Sequence, residues 1–221
     1  MTTEPAAMFN RTTLLILLVA LATGAGLLTA EYVYNRDPQA DGRQLQTVHL
    51  LSKPRELPVF ALQQSDRTPL VPGELRGHWT VVFLGYTFCP DVCPTTLAQL
   101  AQAQKQWAAL PESTRPRVLF VSVDPERDTV ERLGEYAHGF HRDTLAATAD
   151  VPSLEAFARS LSLVFAKAPP PEGAPADQYT MDHSGTLAVL DPQGRMAGIV
   201  QPPLDPKAIA ADLIALSKES R

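Results

Sequence analysis

A three-layer α/β sandwich with a mixed central sheet, set behind one membrane-spanning helix, is the fold this 221-residue chain predicts. Two apolar, β-branched runs, Thr80-Val81-Val82-Phe83-Leu84 and Val118-Leu119-Phe120-Val121-Ser122-Val123, read as buried strands, each followed by a helical period. Further on, Thr186 to Leu190 and Met196 to Val200 meet across Asp191-Pro192-Gln193-Gly194 as a hairpin. Near the start, the 19 residues Thr12 to Ala30 carry no charge, close to the ~20 that span a bilayer. Strand–helix–strand–helix, hairpin, helix is an order that layers helices over a mixed sheet.

Taken in order, residues 1–11 are expected as a cytoplasmic N-terminus, 12–30 as a transmembrane signal anchor, 31–56 as a polar stalk, and 57–221 as the folded domain. Arg11 precedes the apolar run, while Glu31, Arg36 and Asp37 follow it, so the positive-inside tendency exports the domain. A cleaved signal peptide is the alternative, given Ala22, Gly24 and Ala25. The run is longer than an ordinary h-region, and Leu28 spoils a cut after Ala30, which favours an uncleaved anchor. Leu57 to Leu70 alternates around Ser65-Asp66-Arg67 as an N-terminal β-hairpin extension. Leu97, Leu100, Trp107 and Leu110 lie on one helical stripe ending at Pro111; Asp128 caps a helix carrying Val130, Leu133, Tyr136 and Ala137. A short helix covers Ser153 to Leu161, and Leu163 to Phe165 is a brief strand. The run from Ala168 to Pro175 breaks all periodicity, and Asp205-Pro206 opens a last helix with Ile209, Leu213, Ile214 and Leu216 inward.

A net charge of −5 and 45% hydrophobic residues describe an ordinary globular domain and argue against a nucleic-acid footprint, which is basic. The chemistry concentrates in two cysteines, Cys89 and Cys93, at the turn Gly85-Tyr86-Thr87-Phe88-Cys89-Pro90-Asp91-Val92-Cys93-Pro94. Four residues apart at a helix entrance, they point the same way with Cα atoms about 6 Å apart, within disulfide reach. Two thiolates so placed also suit a soft metal ion. A reversible disulfide, a metal site, both together, or two merely structural cysteines are the readings open. Pro94 fits the first helical position, which puts Cys93 near the N-cap, where the helix dipole favours a thiolate. In an exported domain such a pair oxidises readily.

Three motifs then carry a resemblance: Gly85 to Thr95 as just quoted, Val121-Ser122-Val123-Asp124-Pro125-Glu126-Arg127-Asp128-Thr129, and Asp182-His183-Ser184-Gly185-Thr186. From Leu57 to the C-terminus the chain resembles the Sco/SenC copper metallochaperones, thioredoxin-like domains tethered to a membrane and serving cytochrome c oxidase. The resemblance implies copper, Cu(I) or Cu(II), held by Cys89, Cys93 and His183. It implies a bacterial inner-membrane protein with its domain on the periplasmic side. Its partners would be oxidase subunit II, with the CuA centre, and an upstream copper donor or thiol reductant. The same cysteines would serve the alternative role, a thiol–disulfide reductase that keeps the partner's CuA cysteines reduced. A thiol peroxidase fits less well, since Tyr86, not Thr, stands three residues before Cys89.

Other residues carry weaker signals. Asp124 reads as a structural or site-supporting carboxylate, Asp182 as a group that sets the His183 tautomer or stays exposed. Met181 and Tyr86 are expected to pack, and His49, His78, His138 and His141 to lie on surfaces or loops.

Overall fold

The computed structural model describes residues 11–34, 44–170 and 172–219, with side chains of the first segment described through Ala30. The chain divides into two compact units, the first ending at Arg43 and the second beginning at Gln44. In the first, α1 (Arg11–Tyr34) is apolar on every face; its 20 residues Arg11–Ala30 have a mean hydropathy of 2.2 and suffice in length and composition to cross a membrane. The tail expected at 1–11 lies outside the described residues apart from Arg11, as does the middle of the expected stalk.

The second unit is built on an eight-stranded mixed sheet in the order β1-β10-β9-β4-β5-β6-β2-β3. Its centre is β4 (Thr80–Gly85), β5 (Arg117–Ser122) and β6 (Thr144–Thr148), all parallel. Every residue of β4 is buried. Because alternate side chains point to opposite faces, both faces must be covered, as a three-layer sandwich requires. The crossovers run through α2 (Val92–Trp107) and α3 (Val130–Phe140); α4 (Val151–Ser160) follows β6, and α5 (Pro206–Glu219) packs on α2. Phe83, Leu97, Leu100, Trp107, Phe120 and Leu133 are fully buried in the shared core.

On one side of β4, β9 (Leu187–Leu190) and β10 (Met196–Val200) form the expected hairpin, Leu190 facing Met196. On the far edge β2 (Leu62–Gln64) pairs with β3 (Pro69–Leu70), the expected hairpin extension in narrower bounds. β9 runs antiparallel to β4 with Val82 opposite Ala188, so the residues just before β9 arrive at the carboxyl end of β4.

Several local expectations are corrected. The end of the expected stalk is β1 (Val48–Arg55), an edge strand on β10; Lys53 and Pro54 hid it, since both suit a strand with one open side. β6 was not expected at all. The brief strand near residue 163 starts later, as β7 (Phe165–Ala168), paired with β8 (Thr180–His183) in a separate two-stranded sheet. Thr129, not Asp128, caps α3 by accepting from Arg132 N. Leu110 lies beyond the end of α2.

Candidate metal centre

Cys89, Cys93 and His183 meet at the carboxyl end of β4. Their ligand atoms all lie within 4.8 Å of one another, the one such cluster of three among the described residues. Each arrives by a different route. Cys89 sits in the turn leaving β4, half-buried; Cys93 is in the first turn of α2 and fully buried; His183 is the last residue of β8, half-buried. Two placements differ from expectation: the helix begins at Val92 with Asp91 before it, so Cys93 is inside the helix and Pro94 stands third. His183 closes a strand instead of opening one.

Close packing fixes the buried sulfur. A Cβ on Gly85 would lie 2.9 Å from Cys93 Sγ and 2.9 Å from Phe120, so the last residue of β4 must lack a side chain for Cys93 to fit. The backbone N–H of Cys93 points to Cys89 Sγ at 3.4 Å. Burial raises the Cys93 thiol strongly, reversing the expectation that the helix dipole would favour its thiolate. Cys89 goes the other way: burial would raise it, but N–H groups of Asp91, Cys93 and Val92 outweigh that and lower its pKa. The more accessible sulfur of the pair is therefore the readier of the two to ionise, and the hidden one the more firmly protonated.

His183 completes the arrangement. Its Nε2 lies 3.4 Å from Cys93 Sγ, and its Nδ1 lies 3.3 Å from the Ser184 carbonyl. A carbonyl only accepts, so Nδ1 carries the proton and Nε2 offers its lone pair to the sulfur. The orienting group is thus the Ser184 backbone; the Asp182 side chain is exposed. Burial lowers the imidazole's pKa, keeping it neutral, the form that ligates. Phe83 and Tyr86 stand nearly perpendicular to it at centroid distances of 5.8 and 6.2 Å.

The remaining expectations sort cleanly. Tyr86 and Met181 are buried packing residues. Asp124 accepts from Arg127 Nε at 2.6 Å and from Tyr179 Oη at 2.7 Å, a supporting role. His49 and His138 are exposed and His141 is half-buried; His78 lies in the loop before β4, as expected, but is buried there with Nδ1 2.9 Å from the Arg115 carbonyl. Sequence reasoning missed Asp128 as a holder of the cysteine turn. It accepts from Thr87 N (2.9 Å), Thr87 Oγ1 (2.5 Å) and Ser122 Oγ (2.6 Å). Its place in the second motif was the one available signal.

Residues 50–218 match the SCO1/SenC family model. The chain belongs to the SCO1/SenC family. It is 33% identical over 182 residues to the mitochondrial SCO2 homolog of Bos taurus, covering 80% of this chain and 66% of that one. The solution structure of apo Sco1 from Thermus thermophilus shares its fold at a TM-score of 0.67 and 30% identity, over 79% of this chain and 99% of the other. Bradyrhizobium japonicum ScoI, solved with copper bound, aligns at 0.63 and 29%, over 72% and 98%. The fold is therefore the thioredoxin-like one of the Sco proteins.

Proposed function

We propose that this chain is a membrane-anchored copper chaperone that takes one copper ion on Cys89, Cys93 and His183 and delivers it to the CuA centre of cytochrome c oxidase subunit II. The convergence of two sulfurs and one imidazole nitrogen within 4.8 Å carries this reading. Thiolates favour Cu(I), and imidazole accepts either copper state. Three donors leave the ion under-coordinated, so a partner's ligands can enter before it leaves. The related ScoI of Bradyrhizobium japonicum holds copper, which supports the assignment of the cargo. In this reading α1 is a retained inner-membrane anchor, residues from Gln44 onward form the periplasmic domain, and an upstream donor loads it.

Removing His183 tests the donor set. His183→Ala is expected to weaken Cu(I) binding by on the order of 100-fold in competition with a chelator, while the Cys89–Cys93 disulfide still forms. A variant that keeps wild-type affinity ends the three-donor reading.

The lowered pKa and half-exposure of Cys89 favour a second reading, reduction of the partner's disulfide. Cys89 thiolate attacks one partner sulfur and expels the other as thiolate. Cys93, losing its proton, then attacks Cys89 Sγ and releases the second partner thiolate, leaving a Cys89–Cys93 disulfide that a thiol reductant must reduce. Stoichiometric release of thiols from an oxidised partner peptide supports this reading; none removes it.

A further inference from the structure

The imidazole reaches the sulfurs from the end of a two-stranded sheet, and an isolated pair of strands is marginal unless something docks it. We infer that Tyr179, Arg127 and the Lys167–Glu126 pair form a latch that positions His183 over Cys93 and sets how fast copper leaves; the inference rests on the three-donor reading above.

The contacts converge on Tyr179, one residue before β8 and 6% exposed. Its hydroxyl donates to Asp124 Oδ1 at 2.7 Å, and the Arg127 guanidinium lies 3.6 Å over its ring. Arg127 also donates from Nε to Asp124 Oδ2 at 2.6 Å and from Nη1 to the carbonyls of Asp177 and Tyr179 at 3.1 and 3.0 Å. Across the small sheet, Lys167 of β7 faces Met181 of β8. Its ammonium sits 3.8 Å from the Tyr179 ring centroid and 2.6 Å from Glu126 Oε2.

Asp124, Glu126 and Arg127 all belong to the turn between β5 and α3. That same guanidinium lies 5.7 Å from the Tyr86 ring and 4.9 Å from the Phe88 ring, both in the cysteine turn. One planar cation therefore touches the segment before Cys89, the β5–α3 turn and the residues leading into the strand that ends in His183. Guanidinium is suited to this, since it bonds in its plane and stacks on its faces. Met181 and His183 alternate along β8 and share one of its faces, and Tyr179, two positions before Met181, immediately precedes the strand and is buried as Met181 is. Fixing Tyr179 in place fixes the direction of His183.

The test is copper release from the full-length chain in detergent to an excess of a colorimetric Cu(I) chelator. Tyr179→Leu, which removes both hydroxyl and ring, is expected to speed release about tenfold, within the range that groups orienting a ligand contribute. Lys167→Met, at a side chain 45% exposed and so tolerant of change, is expected to speed it about twofold. In the His183→Ala background neither substitution should alter the rate, because the ligand being positioned is gone. Acceleration that persists unchanged in that background, or no acceleration by Lys167→Met and Tyr179→Leu in the wild type, overturns the latch. If His183→Ala alone releases copper at the wild-type rate, the donor reading falls and the latch with it; if His183→Ala speeds release but the latch variants do not, the latch alone falls.

Discussion

Individual side chains at this site divide the labour between exposure and concealment. Cys89, half-buried with a lowered pKa, is the sulfur a reagent or partner meets first, and Cys93, buried and raised, is sheltered. In the reduced protein, iodoacetamide should therefore modify Cys89 well ahead of Cys93. Because a lowered pKa keeps thiolate present at lower pH, the Cys89 rate should reach half its plateau below the ordinary thiol value; peptide mass spectrometry across pH reads both. Faster labelling of Cys93 would contradict the geometry. Gly85 makes the matching steric prediction. Gly85→Ala drives a methyl to 2.9 Å from both Cys93 Sγ and Phe120, an overpacking that costs about 1–3 kcal/mol and displaces the buried sulfur. A lower melting temperature together with weakened Cu(I) binding is expected. That Cys89, Cys93 and His183 belong together was legible from the sequence because the cysteines are the chain's whole complement and the histidine lies in a motif. The direction of the Cys93 shift was not, because helix position argued for a thiolate and only tertiary burial reverses it.

At the level of elements, the entrance to α3 separates fold from function within two adjacent residues. Thr129 caps the helix, while Asp128 turns back to hold Thr87 and Ser122. Thr129→Ala should cost about 1 kcal/mol of stability and leave copper affinity unchanged, as loss of a cap does. Asp128→Asn keeps the size but forfeits charge-assisted acceptors for three donors, freeing the turn that carries Cys89. Its copper affinity should fall while α3 persists, measurable by chelator competition beside circular dichroism. Equal effects of the two variants would refute the separation. The same contrast explains which elements the sequence revealed. β4 and β5 are continuous apolar runs covered on both faces, whereas β7 and β8 are largely exposed and gain their order from each other and from the latch. β6, Thr144-Leu145-Ala146-Ala147-Thr148, has too little bulk to announce a strand; it is buried because β5 and α3 lie against it.

Across the whole domain, the first residues after Arg43 are tied to the last helix by one carboxylate. Asp212 of α5 is 2% exposed, and its oxygens accept from the backbone N–H groups of Gln46, Thr47 and Val48 at 2.8 to 3.0 Å. No local pattern foretold this, because the partners are 164 to 166 residues apart and the polar stretch before β1 reads as linker. Physically the bond set is strong: three N–H groups converge on a charged acceptor sheltered from water. The edge strand β1 is thereby pinned at its start. Asp212→Ala strands three amide donors, with Val48 fully buried, and should cost about 3 kcal/mol. For a domain of this size that corresponds to a fall in Tm on the order of 6–12 °C. The Cys89–Cys93–His183 cluster lies at the carboxyl end of β4, with β9 and β10 between β4 and β1 in the sheet. Copper affinity below the new melting point should accordingly match the wild type, and differential scanning calorimetry with chelator titration at 20 °C separates the two quantities. A variant that melts normally shows the carboxylate to be dispensable; one that loses copper while still folded shows β1 and the site to be coupled through the sheet.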